Sequence, residues 1–366
     1  MTITFFSNFL NHHQLPLCKE LIKLVGEENF HFVSTERIHD ERVQMGYEDM
    51  NVRYSFVVRA YESDQHKNYA IKLAEDSDVA LIGSAPLKYA DIRAKHNKLT
   101  FLYRERLFKY GTWRRFYPPA ALRIYKEYLK FKNKNFYILC SSAYTADDLE
   151  LCGFPRNKCL KWGYFPELTP KVEKNFDKFR IMWCGRMLWW KHPEDAVKIA
   201  HLLNLKDVDF EMIMVGNGEM RQTVEDLVRR YNLQSKIKLF DFMSPTEIRC
   251  QMEQSNLYLF TSGKQEGWGV VLNEALNSGC AVVANVEAGS TKYLVEDIYN
   301  GIIYDKSGIG LSDAVERLLS LSLTQLSEHA FESIANLWNS KDASSSLIEF
   351  IKCGGVPLPK GPCSLA

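Results

Sequence analysis

Two carboxylates, Glu266 and Glu274, are separated by seven residues, and Gly267-Trp268-Gly269 directly follows the first. Carboxylates so placed can accept hydrogen bonds from hydroxyls, and the glycines let backbone N–H groups approach an anion closely. Upstream, Arg186 and Lys191 follow the apolar run that ends at Cys184. Two fixed cations there would neutralise a diphosphate and stabilise it as a leaving group. A sugar nucleotide carries both features, the diphosphate and the hydroxyls.

These residues need particular elements to bring them together. Asn256 to Phe260 is an apolar run too short for a helix and reads as a buried strand. Val270 to Ser278 has helical periodicity, with Gly279 where a left-handed C-cap belongs. Glu266 is therefore expected on a strand-to-helix loop, and Glu274 just over a turn into the helix. Arg186 and Lys191 fall on the loop after another predicted strand, at the sheet edge where open α/β folds bind ligands. An isolated Arg-Lys pair is more often two surface cations, but its coincidence with the Glu266 loop favours a site. Trp189 and Trp190 between them are placed to pack against the cleft or a partner. Gly216-Asn217-Gly218 follows a strand, but Arg221 stands where a dinucleotide fingerprint needs its third glycine. That segment reads as a tight structural turn with a secondary role in lining a nucleotide pocket. His12 and His13 follow the first strand and face an acceptor or, as such pairs more often do, solvent. No His, Cys or carboxylate arrangement suggests a metal.

Strand and helix signals alternate throughout. In the first half, strands are predicted at residues 3–7, 30–33, 79–82, 99–103 and 136–140, and helices at 14–25, 66–75, 118–132 and 145–151. In the second half, predicted strands at 180–184, 210–215, 237–240, 257–260 and 281–284 alternate with helices at 194–203, 219–231, 245–254 and 269–278. Three helical segments follow Gly308, and the Gly- and Pro-containing tail from Gly354 is expected to fray. Such alternation builds parallel sheets covered by helices. The expected class is α/β, with two doubly wound Rossmann-like domains facing a cleft. Residues 1–165 form the first and 166–340 the second, while 341–366 make a helix and tail that pack back on the first.

A chain of 366 residues exceeds one ordinary core. Its net charge of +1 excludes a global preference for nucleic acid. Nine cysteines, never spaced Cys-x-x-Cys, argue against a disulfide framework or zinc site and for a reducing cytoplasm. No signal peptide is read, and no window approaches the roughly 20 apolar residues of a membrane span. The absence of a phosphate loop or a nucleophile elbow removes P-loop and hydrolase readings. Charge is uneven, however: thirteen Lys or Arg lie between Arg93 and Lys134 against only Glu105 and Glu127. Large apolar residues are interleaved among them. Such a stretch is either a solvated basic face or a surface for anionic lipid, each cation contributing about 1 kcal/mol there. Its density against a near-neutral chain favours lipid, and no nucleic-acid motif accompanies it. The expected location is cytoplasmic, peripheral on the inner membrane face.

In this order, Arg186, Lys191, Gly216-Asn217-Gly218, Glu266-Gly267-Trp268-Gly269 and Glu274 resemble retaining glycosyltransferases of family 4, the glycosyl transferases group 1. The resemblance covers about Phe179 to Tyr304; the first half matches only in its alternation. It implies a GT-B fold, with donor on the second domain and acceptor on the first. It further implies that Arg186 and Lys191 bind the donor diphosphate in place of a metal, with no cofactor beyond the nucleotide-sugar substrate. Glu266 would contact donor sugar hydroxyls, the backbone of Gly267, Trp268, Gly269 and Val270 would meet sugar and phosphate, and Glu274 would hold the ribose. The departing phosphate would help deprotonate the acceptor. The family often carries a histidine after a mid-domain strand of the first half; here Tyr103-Arg104-Glu105 stands there, so Arg104 or Glu105 would do that work. The resemblance thus implies sugar transfer to a saccharide acceptor, expected to be lipid-linked, in polysaccharide or glycolipid assembly. The missing histidine motivates an alternative, a catalytically silent nucleotide-binding or scaffold partner of a glycan-assembly complex. A nucleotide-sugar epimerase would need acid/base groups in both domains that the chain does not offer.

Overall fold

The computed structural model describes residues 1–39, 48–305 and 310–366. The chain divides into two compact units, Met1–Glu167 with Asn339–Ala366, and Leu168–Trp338. In the first unit, strands β1 (Ile3–Ser7), β2 (Phe30–Ser34), β3 (Val57–Arg59), β4 (Val79–Ile82), β5 (Thr100–Arg104), β6 (Phe136–Cys140) and β7 (Cys159–Lys161) form one sheet. Its order is β3-β2-β1-β4-β5-β6-β7, and the pairs are parallel. All five residues of β1 are buried, as expected of a strand covered on both faces. Ile3 aligns with Phe30 on one side and Val79 on the other.

In the second unit, β8 (Arg180–Cys184), β9 (Glu211–Val215), β10 (Ile237–Phe240), β11 (Leu257–Phe260), β12 (Ala281–Asn285) and β13 (Gly301–Tyr304) are ordered β10-β9-β8-β11-β12-β13. These pairs are parallel too. In each unit the winding reverses beside the first strand, between β1 and β4 and between β8 and β11. Loops leaving the carboxyl ends at such a reversal diverge and leave a crevice. The α/β class of two doubly wound parallel sheets is therefore present.

Several elements depart from the sequence expectation. Strands β3, β7 and β13 were not predicted; they are sheet edges of three or four residues, too short to show a period. The helix Lys88–Lys95 was also missed, because its residues are largely polar. The helix expected over 118–132 ends at Glu127. Tyr128 takes φ −135°, and a short turn over Leu129–Phe131 carries Phe131 inward, where it stacks on Phe136 at 4.6 Å between centroids. The expected fraying of the tail is wrong. Lys161 N–H donates to Ser364 O at 2.7 Å, Cys363 N–H to Lys161 O at 2.9 Å, and Ala366 N–H to Cys159 O at 3.0 Å. The tail thus runs antiparallel along β7, with Leu160 opposite Leu365. Ahead of it, the helix Ser340–Lys352 sets Phe350 edge-on to Phe101 and Tyr137.

Arg93, counted by sequence within a basic face, is wholly buried. Its guanidinium donates to Thr100 Oγ1 at 2.8 Å and to the carbonyls of Ala74, Ser77, Asp78 and Leu99 at 2.6–3.1 Å. Desolvation lowers its pKa to about 10, opposed by Asp78. Arg93 therefore closes the helix and strand ends around it from inside. Replacing it by alanine would strip a donor from four carbonyls, those of Ala74 and Ser77 in buried bonds. Arg93→Ala should destabilise the first unit by about 3–5 kcal/mol in urea unfolding; a loss below about 1 kcal/mol would contradict this role.

Candidate functional site

The loops after β8 and β11 lie side by side because those strands are neighbours. Backbone and side-chain bonds stitch them together. Gly263 N–H donates to Trp190 O at 2.7 Å. Thr261 Oγ1 donates to Lys191 O at 2.7 Å and accepts from the Trp183 indole at 2.9 Å. Across this seam the Lys191 ammonium donates to Glu266 Oε2, and both side chains are less than one-fifth exposed. The stretch after Glu266 is held by Gly289 N–H, which donates to Glu266 O at 3.2 Å. Glu274 lies in the helix Val271–Asn277. It and Lys191 both act electrostatically on the Cys184 thiol at the end of β8, which burial pushes up to about 12. Lys191, Glu266 and Glu274 thus converge around one strand end.

Burial raises the Glu274 carboxyl to about 7, opposed by the charge of Arg249. Near neutrality it is half protonated, a poise that a ligand donating hydroxyls would shift towards the carboxylate. Arg186 is exposed on the same loop, and its side chain has no hydrogen bond or ion pair among the described residues. A free guanidinium beside a paired ammonium can accept a new anion at little cost.

Gly216 and Gly218 explain why this loop holds its course. Gly216 has φ +136°, and a Cβ there would sit 1.9 Å from Gly185 O; at Gly218, with φ +151°, it would sit 2.6 Å from Met187 O. Met187 N–H donates to Asn217 O at 2.8 Å. The Gly-Asn-Gly turn therefore clamps the backbone on both sides of Arg186. Gly269, at φ +85°, would set a Cβ 2.4 Å from Phe260 Cζ. The Trp268 side chain, by contrast, is 1% exposed, donates to Asn273 Oδ1 at 2.7 Å and lies against Tyr293 and Trp338. It is core, so a substrate can meet only its backbone. Gly267 is buried, whereas Val270 is partly exposed.

His192 directly follows Lys191. It takes a left-handed conformation (φ 48°, ψ 52°), and its Nδ1 pairs with Glu194 Oε1 at 2.9 Å. His192, Glu194 and Asp195 bring ligand-type atoms within 4.8 Å of one another, a grouping that sequence spacing did not single out. Asp195 also accepts from Lys198 at 2.9 Å, so one of the two carboxylates in this grouping already has a cationic partner.

In the first unit, one nitrogen of Arg104 donates to the carbonyls of Ile82, Gly83 and Tyr103 at 2.7–2.9 Å, fixing it across the ends of β4 and β5. Glu105 pairs with Lys109 at 2.7 Å and accepts from the Tyr164 hydroxyl at 3.2 Å. Both line a polar cavity of about 500 Å³ at these strand ends. Gln14 joins the lining; His12 and His13, whose rings lie 3.7 Å apart, do not. Sequence spacing gave no sign of Ser84, Ser141 and Tyr164, which complete this wall.

A family profile described as "Glycosyl transferases group 1" matches residues 165–335. The chain is 24% identical over 144 residues to the 2-deoxystreptamine N-acetyl-D-glucosaminyltransferase of Niallia circulans, covering 39% of this chain and 36% of that protein. It is 24% identical over 153 residues to one component of the human phosphatidylinositol N-acetylglucosaminyltransferase, covering 42% of this chain and 31% of that protein. The chain thus spans about a third of the length of these curated relatives. Among solved structures, HepE of Anabaena in complex with UDP superposes with a TM-score of 0.65 at 12% identity, over 96% of this chain and 100% of that one. That agreement, with the two doubly wound sheets, establishes the GT-B fold.

Because the clamp tolerates no side chain, Gly216→Ala should destabilise the second unit by at least about 2 kcal/mol in chemical unfolding. An unchanged midpoint would mean that the turn does not hold the Arg186 loop.

Proposed function

We propose that this protein is a retaining, metal-independent glycosyltransferase that moves a sugar from a nucleotide-sugar donor to a saccharide acceptor. The observation that carries this reading is the Lys191–Glu266 pair at the β8–β11 reversal, on the same loop as an unengaged Arg186. Arg186 and Lys191 take the donor diphosphate and stabilise it as it leaves, which is the role a divalent ion would otherwise fill. Glu266 releases Lys191 in part and accepts hydroxyls of the donor sugar. Glu274 accepts the ribose hydroxyls, and the backbone of Gly267 to Val270 faces sugar and phosphate. The group 1 profile over 165–335 and the UDP bound to HepE support a nucleotide-sugar donor. Arg104 and Glu105, in the polar cavity of the first unit, are the acceptor-side groups.

Titration calorimetry with UDP, GDP and ADP tests the donor site. One nucleotide should bind, with affinity lost in Lys191→Ala; no heat from any of the three would sink the proposal. Binding should also strengthen by about tenfold between pH 6 and pH 8, since Glu274 must shed its proton near pH 7 to accept hydroxyls. Glu274→Gln should flatten that extra slope.

The acceptor is lipid-linked in this reading, and the protein lies on an anionic membrane face through its basic segment. Arg114 and Arg115 sit against the rings of Tyr110 and Phe116 at 5.7 and 4.6 Å, as side chains of an interfacial surface do. The name of the human relative, which includes phosphatidylinositol, points the same way. Among the described residues no helix is long and apolar enough to cross a membrane. Reversing both arginines to glutamate should weaken binding to phosphatidylglycerol vesicles at least about 30-fold, two cations at about 1 kcal/mol each. Unchanged sedimentation with vesicles would refute the membrane part alone.

A further inference from the structure

Four charged side chains line the polar cavity of the first unit, and three of them are answered by an opposite charge. Glu105 pairs with Lys109 at 2.7 Å, and Glu127 pairs with Arg123 at 2.8 Å. Arg104 is the exception, with no carboxylate partner among the described residues. Its Nη1 is spent on the carbonyls of Ile82, Gly83 and Tyr103. Nε and Nη2 hold no bond among the described residues. These two nitrogens share one edge of the planar guanidinium, the fork that takes two oxygens of a carboxylate or phosphate.

Three nearly enclosed polar side chains line the same cavity with bonding capacity unmet. Tyr128 is 6% exposed, and its hydroxyl has no partner among the described residues. Burial pushes its pKa up to about 12, opposed by the charge of Arg104, so near neutrality it remains an O–H donor. Gln14 Nε2 donates to Ser7 Oγ at 3.1 Å, which fixes the amide and leaves the buried Oε1 unpartnered. Ser141 is wholly buried, and its Oγ is unpartnered too. Tyr103, by contrast, spends its hydroxyl on Gly163 O at 2.7 Å. Buried polar groups are normally satisfied, so several orphans around one cavity mark where a ligand completes them.

Resting on the glycosyl-transfer reading for its role as acceptor, we propose that this cavity takes an acidic sugar, one that bears a carboxylate or a phosphate. The oxyanion lies on the free edge of Arg104 and accepts from the Tyr128 hydroxyl. A ring hydroxyl donates to Gln14 Oε1, and Ser141 Oγ bonds a second one. A neutral saccharide would leave Arg104 without a counter-charge. A bare carboxylate has no proton to offer Gln14.

Calorimetric titration of the full chain with glucuronate, glucose 6-phosphate, glucose, acetate and inorganic phosphate tests this. At least one acidic sugar should bind about tenfold or more tightly than glucose and than the corresponding small anion. The tighter of the two tells carboxylate from phosphate. Arg104→Gln should abolish the preference over glucose. Because Arg104 also ties the ends of β4 and β5, Tyr128→Phe keeps the test alive should that variant not fold. It should cut the preference about threefold or more, with glucose unchanged. Gln14→Met should weaken the acidic sugar and leave the small anion as in the parent. Glucose or the small anions matching both acidic sugars would overturn the proposal, as would no binding by either acid. So would a preference unmoved in both Tyr128→Phe and Gln14→Met. Heat from UDP, GDP and ADP on the same samples reads the second unit alone. Its absence with the acidic sugar still bound would overturn the transferase reading and leave this anion site standing.

Discussion

The Lys191–Glu266 ion pair is the contact around which the second unit's site is organised. It exists because β8 and β11 are sheet neighbours although 72 residues separate Cys184 from Leu257 in numbering. Parallel winding brings their carboxyl ends together, and the Trp190–Gly263 and Lys191–Thr261 bonds lock the two loops before any side chain is considered. Within that frame a mostly buried ammonium and carboxylate offset each other's charge. Removing either would leave the other desolvated and alone, a costly state. In the proposed reading, the pair holds a cation in position for an incoming anion.

Backbone sterics make the frame rigid. The turn at Gly216 and Gly218 approaches Gly185 and Met187 so closely that only hydrogen fits, which fixes the path from which Arg186 emerges. Gly269 does the same against Phe260 on the opposite loop. The chain supporting both loops is thus held by contacts that leave no room for a side chain. The first unit solves a similar problem with a cation: Arg104 gathers three carbonyls at the ends of β4 and β5, and the polar cavity opens beside it.

Much of this was legible in the residues. Central strands such as Val79–Ile82 and Leu257–Phe260 are continuous apolar runs, and their boundaries follow directly from composition. The loop position of Glu266 and the helical position of Glu274 follow from the same pattern. Edge strands were not legible, since three or four residues with one neighbour carry little periodic signal. Side-chain direction was not legible either. Trp268 sits in the most chemically suggestive tripeptide of the chain yet faces the core, and Arg93 sits in its most basic segment yet is wholly enclosed. Spacing tells which residues share a loop; only packing tells which way each one points. The proximity of Asp195 to His192 and Glu194 likewise depends on the left-handed turn at His192, which no neighbouring residue type foretells.

The antiparallel run of residues 363–366 along β7 has a bearing on self-association. A three-residue border strand with unpaired amides invites a second molecule to extend the sheet. Here Ser364 O and Lys161 N–H, and Cys363 N–H and Lys161 O, consume those groups, and Cys363 is buried in the process. The last few residues therefore act as a selvedge, finishing the fabric so that it does not continue into a neighbour.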